Sequence, residues 1–537
     1  MPTDEQNNNR KKNTDQQEVT ENGCMIKTKK SRTVNESEIN RTENRNHEKQ
    51  KCKSFWCVSI TTFCCILNLI GGIFLIKYSL YDFFMEDRLQ MRPGMPAYEF
   101  WKEPEPEVIV KIRVFNITNG DAFLNGTDST IKLDEVGPIV YREILRHSDV
   151  IFNENSTLSY TATKILVFKD ERNRPGILNE TIVVPNMAAL GIASYLSNAG
   201  FLVNLGAKAL MSNADEEPLR KITIYDYLWN YKSDVLSMAK TLGGSILVPV
   251  ENMGVLYNIY KNYSDKLNVK IGPKYESGEF FQLLSYNYGT TVPGFKLDHG
   301  HCNASILGAT EGAIYPQFLD KNSTLYYWRK TLCRPARLYF EEEVQKGPLL
   351  GYKFVLKNNV YDHSNDETTI DCYKGNPDTL PDGLSDLSKC FHNFPVAASK
   401  PHFYGRSGDW VEKLQGLHPN RTLHDSYIIV EPTMGTPIDQ CARSQSNLVI
   451  KTIHRVYPEK MKRFSNSIIP MFWIEIHQPD LTPLIIGVIH FTINILPTLE
   501  KFLGPLMIIF SVSILVLLMK KIIRKREKSE KEKFELL

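Results

Sequence analysis

The stretch SFWCVSITTFCCILNLIGGIFLI, from Ser54 to Ile76, contains no charged side chain in twenty-three consecutive residues. A helix rises about 1.5 Å per residue, so this stretch can cross a hydrocarbon core about 30 Å thick. The polar residues 1–53 precede it, and its apolar run is longer than the roughly 7–15 residues of a cleavable signal peptide. We therefore interpret residues 54–76 as an uncleaved signal-anchor span rather than a cleaved leader or a buried core helix.

The residues before this span predict its orientation. Lys49, Lys51 and Lys53 lie directly before it, and basic residues near a span favour the cytoplasmic side. Residues 1–53 contain few apolar positions, so they cannot offset the entropy cost of folding, and we expect a disordered cytoplasmic tail. The chain after the span is then extracellular or luminal.

A second apolar run lies near the C-terminus. Residues Phe502 to Met519 read FLGPLMIIFSVSILVLLM and are followed at once by KKIIRKREK. This pattern predicts a second span at 502–519 and a basic cytoplasmic tail at 520–537. Residues 484–497 are a rival third span, but they contain His490 and are short, and a third crossing would put the basic tail outside. We assign them to the ectodomain, which then covers residues 77–501.

The ectodomain sequence predicts mixed secondary structure. MEDRLQMRPGMPAYEFWKEPEPE is polar and then proline-rich, which predicts an extended connection after the first span. Alternating apolar residues predict strands in VIVKIRVFNIT, VGPIVYREIL, LSYTATKILVF, ETIVVP, FFQLLSYNYG, LLGYKFVL, SYIIVEP and SNLVIKTIHRV. ITIYDYLWNYKSDVL predicts one short helix. Helices inserted irregularly between strands favour an α+β fold with a mostly antiparallel sheet or barrel.

One Ala- and Leu-rich segment interrupts the strands. AALGIASYLSNAGFLVNLGAKALM, ending at Met211, has apolar residues at helical spacing. It predicts two short helices between Met187 and Met211, with a break near Asn198 to Gly200. Their apolar residues either pack within a bundle or form an exposed contact surface.

The ten cysteines divide by position. Only those beyond the first span meet an oxidising compartment, and since five is an odd number, at least one of them is free or pairs with another chain. Cys52 and Cys57 at the edge of the span are candidates for S-palmitoylation, the alternative being plain thiols. The five cysteines beyond the span are Cys302, Cys333, Cys372, Cys390 and Cys441.

Glycosylation sequons between the spans agree with this topology. Each Asn heads Asn-x-Ser or Asn-x-Thr, and together they predict a glycosylated surface. The eight sites are Asn116, Asn125, Asn155, Asn179, Asn262, Asn303, Asn322 and Asn420.

The sequence offers no motif for catalysis, metal binding or nucleic-acid binding. We find no nucleophile elbow, phosphate loop, HExxH or CxxC pair. HGHC, from His299 to Cys302, has too few suitable ligands for a metal site and is interpreted as a loop. The formal net charge of +3 gives no reason to propose nucleic acid as a partner. We therefore expect no enzyme activity and no cofactor.

The ectodomain resembles the class B scavenger receptor family, which includes lipoprotein and fatty-acid receptors and a lysosomal integral membrane protein. The similar blocks, in order, are EVGPIVYRE, LWNYKSDVL, ATEGAIYPQFL, LCRPARLYF and KPHFYGRSGDWVEKLQGLHPNRTLHDSYIIVEPTMGTPIDQCARSQSNL. Long blocks in this order between two spans are specific to the family. The resemblance implies a twisted antiparallel β-barrel with an apical helical bundle and an internal lipid tunnel, anchored by two transmembrane helices.

The resemblance also implies roles for individual residues. Cationic ligand-binding residues of the family lie in the apical bundle, where Lys208 is the nearest candidate. The implied disulfides join Cys302 to Cys372 and Cys333 to Cys390. Cys441 resembles an unpaired cysteine of the lipoprotein-receptor branch, with a buried inert thiol as the alternative.

Two functional hypotheses follow. In the first, the protein binds lipids (fatty acids, sterols, carotenoids or phospholipids) or lipoprotein-like particles and passes hydrophobic cargo to the plasma membrane. In the second, it is an endosomal or lysosomal sorting receptor for luminal protein cargo. Glu532, Leu536 and Leu537 fit an acidic dileucine signal read by clathrin adaptors, the alternative being an accidental Leu-Leu pair. A homo-oligomer is compatible with either hypothesis, and both place the two termini in the cytoplasm.

Overall fold

The structure is a computed structural model that describes residues 36–535 except 106, 248–251, 273, 276, 296–303, 363–371 and 374–379, with side chains from residue 55 onward apart from 242–247. The helices are α1 (Glu36–Lys77), α2 (Leu80–Gln90), α3 (Pro96–Lys102), α4 (Gly120–Asn125), α5 (Met187–Tyr195), α6 (Phe201–Asn213), α7 (Ile224–Trp229), α8 (Asp234–Leu247), α9 (Tyr257–Tyr260), α10 (Asp409–Glu412), α11 (Arg421–His424), α12 (Glu459–Lys462), α13 (Pro483–His490) and α14 (Leu496–Glu535). The strands are β1 (Val108–Ile117), β2 (Ile131–Asn153), β3 (Thr157–Phe168), β4 (Thr181–Pro185), β5 (Leu219–Thr223), β6 (Ser264–Lys270), β7 (Leu283–Tyr286), β8 (Thr324–Arg329), β9 (Arg334–Lys346), β10 (Leu349–Leu356), β11 (Ser385–Asp386), β12 (Val396–Ser399), β13 (Leu414–Gln415), β14 (Tyr427–Glu431), β15 (Thr436–Ile450) and β16 (Ser467–Gln478).

The chain forms two compact units. The first consists of residues up to Gly72 together with those from Leu506 onward, and in its described part it is helical. The second unit runs from Ile73 to Pro505 and contains all the described strands. Among the described residues, two helical segments are long and apolar enough to cross a membrane, Phe55–Lys77 and Pro483–Glu535.

The first span agrees with the sequence prediction, but its helix begins earlier. Residues 36–53, expected to be disordered, form the first part of α1. Glu and Lys are good helix formers, and helix propagation from an existing apolar helix is far cheaper than nucleation. The polar composition of the segment therefore did not prevent a helix.

The second span is part of a much longer helix than the eighteen-residue run predicts. Residues 484–497 belong to the same helical segment, because α13, a π-helical turn at Phe491–Ile495 and α14 follow one another without a break. Pro497 cannot donate the backbone hydrogen bond of a regular helix. The wider π turn directly precedes it, as is common where a helix accommodates an irregularity.

A large antiparallel sheet is the centre of the second unit. Fourteen of the described strands belong to it, and its main path runs β7-β6-β3-β2-β1-β16-β15-β14-β10-β9-β8. The α+β class predicted from the sequence is confirmed. In the middle of the sheet, Ile112 lies opposite both Ile139 and Ile474, and all three side chains are buried.

The two ends of the strand path meet the same irregular segment, residues 306–310. Ala309 accepts a hydrogen bond from the backbone N–H of Leu283 on β7, at 2.8 Å. Thr310 donates to Tyr326 and accepts from Trp328 on β8, each at 2.8 Å. Strands β7 and β8 do not pair directly in the described chain, but this segment bonds to both of them.

Gly137 marks a close approach within the sheet. Its φ is +145°, and a Cβ at this position would lie 2.8 Å from the carbonyl oxygen of Ile112. A β-bulge between Ile112 and Val114 interrupts the pairing of β1 with β2 at the same level. Glycine is therefore required by both conformation and space.

The helical insertion is confirmed, with its break at the predicted place. Helix α5 ends at Tyr195 and α6 begins at Phe201, with Gly200 as its N-cap residue. The next prediction was wrong in part, because ITIYDYLWNYKSDVL forms α7 and the start of α8 rather than one helix. The break follows Asn230, and Lys232 pairs instead with Asn252 in an isolated bridge.

The connection after the first span is also helical rather than extended. Helix α2 has Ser79 as its N-cap residue, whose side chain accepts the N–H of Asp82 at 3.0 Å. Helix α3 starts with Pro96 at its first position, where the missing N–H costs nothing. Pro96 therefore marks a helix start and not an extended chain.

Candidate functional site

A cavity of the second unit has a volume of about 640 Å³. This volume lies within the roughly 300–1,000 Å³ that is usual for small-molecule sites. Its walls are α2 and α3 on one side, α13 with the π turn on another, and the inner face of the sheet on the third. Most of the lining is apolar and includes Phe84, Phe100, Trp101, Leu145, Ile314, Ile428, Ile476, Leu481, Ile485 and Val488.

The helical walls are fixed by side-chain caps. At the start of α2, the carboxylate of Glu500 accepts the hydroxyl of Ser79 at 2.9 Å and the backbone N–H of Tyr81 at 3.0 Å. A carboxylate at a helix N-terminus pairs with unsatisfied N–H groups and with the positive end of the helix dipole. At the start of α13, Thr482 is the N-cap residue, and Pro483 occupies the first helical position. These contacts define where each wall begins.

A charged group interrupts the apolar lining on the sheet side. Glu143 is buried and lies 3.0 Å from the Arg329 guanidinium and 3.4 Å from the Lys164 ammonium. The hydroxyl of Tyr260 donates to the same carboxylate at 2.8 Å. Burial raises the pKa of Glu143, but attraction to Lys164 and Arg329 outweighs it and lowers the pKa to about 2. The Glu143 carboxylate is therefore ionised and fully partnered.

A second carboxylate at the cavity, Glu311, is held by aromatic residues. It accepts the hydroxyl of Tyr160 at 2.6 Å and faces Nε2 of His147 at 3.3 Å. Nδ1 of His147 donates to the carbonyl oxygen of Trp101 at 2.6 Å, and the two rings stack at 4.4 Å. Burial raises the pKa of Glu311, and the interactions with His147 and Tyr160 lower it below its usual value.

A small second cavity adjoins the first. Its volume is about 30 Å³, and Tyr327, Arg329 and Ile428 belong to the linings of both. Cys441 also lines it. This thiol is free and buried, and burial raises its pKa to about 12. Because the thiolate is the reactive form, Cys441 is a poor nucleophile here.

The inserted helices combine buried and exposed apolar residues. Most of α5 is buried, whereas α6 and the end of α5 expose the apolar side chains of Tyr195, Phe201, Leu202, Val203 and Leu205. Lys208 lies half-buried on α6, and the structure brings no described acidic residue into a salt bridge with it. Of the two alternatives for this segment, packing within the protein therefore describes α5, and an exposed apolar surface describes α6.

Cysteine positions can be compared with the implied disulfides. Cys333 and Cys390 form a disulfide, with Cα atoms 6.0 Å apart. Cys372 is also disulfide-bonded. Its implied partner Cys302 lies outside the described residues.

Most of the predicted glycosylation sites are accessible. Asn116 is half-buried, and its side-chain oxygen accepts the backbone N–H of Val183 at 2.8 Å, so it is the least accessible of the described sites. Asn303 lies outside the described residues. The exposed sites are Asn125, Asn155, Asn179, Asn262, Asn322 and Asn420.

The remaining candidate positions lie near the ends of the described chain. Cys57 is exposed on α1, whereas the side chain of Cys52 is not described. Glu532 is exposed near the end of α14, and Leu536 and Leu537 lie outside the described residues.

A metal site is not found in the described part of the chain. No described group of three or more His, Cys, Asp and Glu residues is arranged to hold a metal ion. The HGHC segment lies outside the described residues.

Sequence reasoning missed the charged cavity residues. Glu143 ends the block EVGPIVYRE, and Lys164 lies within the predicted strand LSYTATKILVF, but neither was assigned a role. A charged residue at an inward-facing position of an otherwise apolar strand would have indicated these sites. Which partner each residue meets depends on the fold, because Arg329 lies 186 positions after Glu143.

Comparisons with known proteins agree with one another. The sequence model described as the CD36 family matches residues 60–522. Scavenger receptor class B member 1 of Bos taurus is 22% identical over 391 residues, covering 72% of this chain and 74% of that protein. Lysosome membrane protein 2 of Homo sapiens is 24% identical over 371 residues, covering 69% and 74%. Sensory neuron membrane protein 1 of Bombyx mori is 25% identical over 401 residues, covering 70% and 74%.

Proposed function

Because the chain belongs to the CD36 family, we propose that it is a membrane receptor that binds lipids or lipid-bearing particles and passes hydrophobic cargo to the membrane. The observation that supports this proposal most strongly is the apolar cavity of about 640 Å³. Its size and lining suit one small apolar or amphipathic molecule. The match to scavenger receptor class B member 1 supports a receptor rather than an enzyme.

The energetic benefit of such a cavity is large. Exposing an acyl chain of about sixteen methylenes to water costs on the order of 13 kcal/mol, at about 0.8 kcal/mol each. A lipid that moves through water from a carrier to a bilayer meets this barrier unless an apolar protein surface covers its acyl chain. A protein cavity lined by Phe, Leu and Ile side chains lowers the barrier.

The proposal includes a barrel with an internal tunnel. Two features of the second unit support it: segment 306–310 bonds to both edge strands of the sheet, and the small cavity adjoins the large one. Tyr327, Arg329 and Ile428 lie where the two cavities meet. We propose that movement of the Tyr327 and Ile428 side chains, with Arg329 remaining on Glu143, opens a continuous path.

The proposed topology is a hairpin with both termini in the cytoplasm. Residues 1–53 and 520–537 are the tails, 54–76 and 502–519 the spans, and 77–501 a glycosylated ectodomain. The two candidate spans and the exposed sequons support this arrangement. We propose a second disulfide between Cys302 and Cys372, since Cys372 is bonded.

Cellular uptake tests the proposed function. Ala313 lines the cavity and has a small side chain, so Ala313→Trp should fill part of the volume. Leu307 lies earlier in the same connection between β7 and β8, exposed and outside the cavity lining, so Leu307→Trp is the matched control. Cells with equal surface amounts of each protein are given a fluorescent fatty acid, sterol ester or carotenoid.

The proposal predicts that wild-type and Leu307→Trp cells take up more of at least one probe than cells lacking the protein. Ala313→Trp should remove most of that excess. If wild-type cells take up no more of any probe than cells without the protein, the proposed function is wrong.

The second hypothesis is a sorting receptor for luminal protein cargo. The exposed apolar side chains of α6 favour it, since such surfaces mark interaction sites, and lysosome membrane protein 2 is among the relatives. Replacing Leu536 and Leu537 by Ala should then shift the protein to the cell surface. Unchanged distribution would remove the sorting argument.

A further inference from the structure

The part of α14 that directly follows the predicted span at 502–519 is strongly basic. Its sequence KKIIRKREK, residues 520–528, contains six basic residues and a single acidic residue. Helix α14 continues without a break through this segment to Glu535, so the charges are held on a helix. The next segment, SEKEKFE at 529–535, contains two basic and three acidic residues. The excess of positive charge is therefore confined to the turns of α14 nearest the span.

Five of the six basic residues share one side of the helix. An α-helix turns by about 100° per residue, so Arg524 and Lys528 lie about 40° apart in the view along the axis. The other members lie to either side of this pair, and all five positions fall within about 140°. Arg526 lies about 160° from both Arg524 and Lys528, on the opposite side. We call the following set the basic face: Lys520, Lys521, Arg524, Lys525 and Lys528.

The basic face is exposed and its charges are not paired within the described chain. Every residue from 520 to 535 is exposed. Among the described side chains, none forms an ion pair with any of the five basic residues. Like charges four positions apart, such as Arg524 and Lys528, repel each other along a helix. An anion from outside the chain would therefore stabilise this part of α14.

Two exposed apolar side chains interrupt the basic segment. Ile522 and Ile523 are 42% and 53% exposed. They lie about 5–6 Å along the helix from Met519, the last residue of the predicted span. The interfacial layer of a bilayer covers such apolar side chains, while neighbouring lysines and arginines extend to the headgroups. This combination indicates contact with a lipid surface rather than with a soluble anion.

The basic face also lies at the right distance from the bilayer. Helix α14 rises about 14 Å from Met519 to Lys528, and the potential of an anionic surface falls off over a Debye length of about 8–10 Å. In the proposed topology this surface is the cytoplasmic leaflet, and Lys49, Lys51 and Lys53 precede the first span on the same side. Basic residues from both ends of the chain therefore face one leaflet.

We propose that the basic face of α14 binds the headgroup of a phosphoinositide, a lipid whose inositol ring carries phosphomonoester groups, in the cytoplasmic leaflet. One such headgroup neutralises several cations at once, whereas phosphatidylserine carries a single net charge. Arg524 has a planar guanidinium that donates two parallel hydrogen bonds to a phosphate, and Lys520 and Lys528 act as point charges beside it. This inference goes beyond the proposed lipid uptake and involves no residue of the cavity.

Competition between two anionic lipids tests the assignment. Full-length protein in detergent is incubated with an equimolar mixture of dioleoyl phosphatidylinositol bisphosphate and dioleoyl phosphatidylserine, and the lipid retained after gel filtration is quantified by mass spectrometry. Empty micelles give the background. Because the two lipids have the same acyl chains, binding in the ectodomain cavity contributes equally to both. Wild-type protein should retain the bisphosphate over phosphatidylserine by about tenfold or more, since it makes more charge-assisted hydrogen bonds.

Two double variants separate the basic face from the total charge of the helix. Arg524→Gln with Lys528→Gln removes two charges from the centre of the face and should lower retention of the bisphosphate about tenfold. Arg526→Gln with Lys533→Gln removes the same residue types from the opposite side and should keep retention within about threefold of wild type. Since all four positions are exposed and Gln is a good helix former, both variants should keep α14 intact.

Two results would overturn the inference and leave the proposed uptake function standing, because neither variant alters the cavity. The first is equal retention of the two lipids by the wild type, and the second is an equal loss of the bisphosphate in both double variants. Soluble inositol trisphosphate in tenfold excess should displace less than half of the bound bisphosphate, because it lacks the apolar contact with Ile522 and Ile523. Complete displacement would assign the basic face to a soluble polyphosphate and contradict the assignment to a lipid.

Discussion

At the residue scale, the buried charge of Glu143 depends on partners from two other strands. Glu143 remains ionised on β2 because Lys164 of β3 and Arg329 of β8 both contact it. Taking such a carboxylate out of water is expensive unless its partners stay in place. The stability of the sheet therefore depends on three side chains that also line the cavity.

Arg329→Met tests this dependence. It removes one partner and leaves Glu143 buried, so we expect the free energy of unfolding to fall by about 3–5 kcal/mol. Thermal unfolding of the purified protein measures the change. Lys321→Met is the control, because the Lys321 and Glu343 pair is exposed and should contribute no more than about 1 kcal/mol. Equal melting temperatures for both variants would contradict this account.

A stacked histidine pair predicts sensitivity to acid. His424 stacks on His402 with ring centres 4.5 Å apart. Burial, followed by the effect of His402, lowers the pKa of His424 to about 4, although Glu135 opposes the shift. The unfolded chain binds this proton near pH 6.5 and the folded chain only near pH 4, so stability is lost as the pH falls between these values.

His424→Gln should therefore lose less stability than the wild type between about pH 6.5 and pH 4. Melting temperatures of both proteins across this interval give the comparison. Parallel curves for the two proteins would show that His424 does not contribute to the acid sensitivity.

At the element scale, local signals in the sequence predicted some helices and not others. The break between α5 and α6 was predictable because Gly200 lies at the start of a new apolar period. Helices α2 and α3 were not predicted, since the prolines around them suggested an extended chain. The start of α2 is capped by Glu500, more than four hundred positions away, which no local pattern reveals.

Glu500→Ala tests the role of that cap. Loss of the carboxylate leaves the Tyr81 N–H without its partner, and α2 should be destabilised locally by about 1 kcal/mol. Hydrogen exchange of the α2 amides should then quicken several-fold, while exchange in β16 stays unchanged. Glu527→Ala, at an exposed position of α14, is the control. If α2 exchanges at the wild-type rate in Glu500→Ala, the cap is not significant.

At the scale of the whole molecule, the sequence predicted the family, the α+β class and the two apolar spans. The family resemblance implied an internal tunnel, but the sequence did not reveal which residues line the cavity. The cavity walls come from α2, α3 and α13 and from strands in both halves of the sheet's strand order. A residue such as Arg88 looks like an ordinary helical arginine until its burial is known.

The proposed topology has a direct test at this scale. In sealed vesicles whose cytoplasmic face points outward, protease added to the medium should leave residues 77–501 protected. Glycosidase treatment after opening the vesicles should lower the apparent mass, because six described sequons are exposed. Digestion of residues 77–501 in sealed vesicles would contradict the topology, the luminal disulfides and the glycans together.

The central claim is that the cavity of about 640 Å³ holds lipid. The most direct measurement is mass spectrometry of the lipid that co-purifies with full-length wild-type protein and with Ala313→Trp. We predict single-chain lipid above the level of empty micelles in the wild type and a clear reduction in the variant. Equal amounts in wild type, variant and empty micelles would contradict the claim.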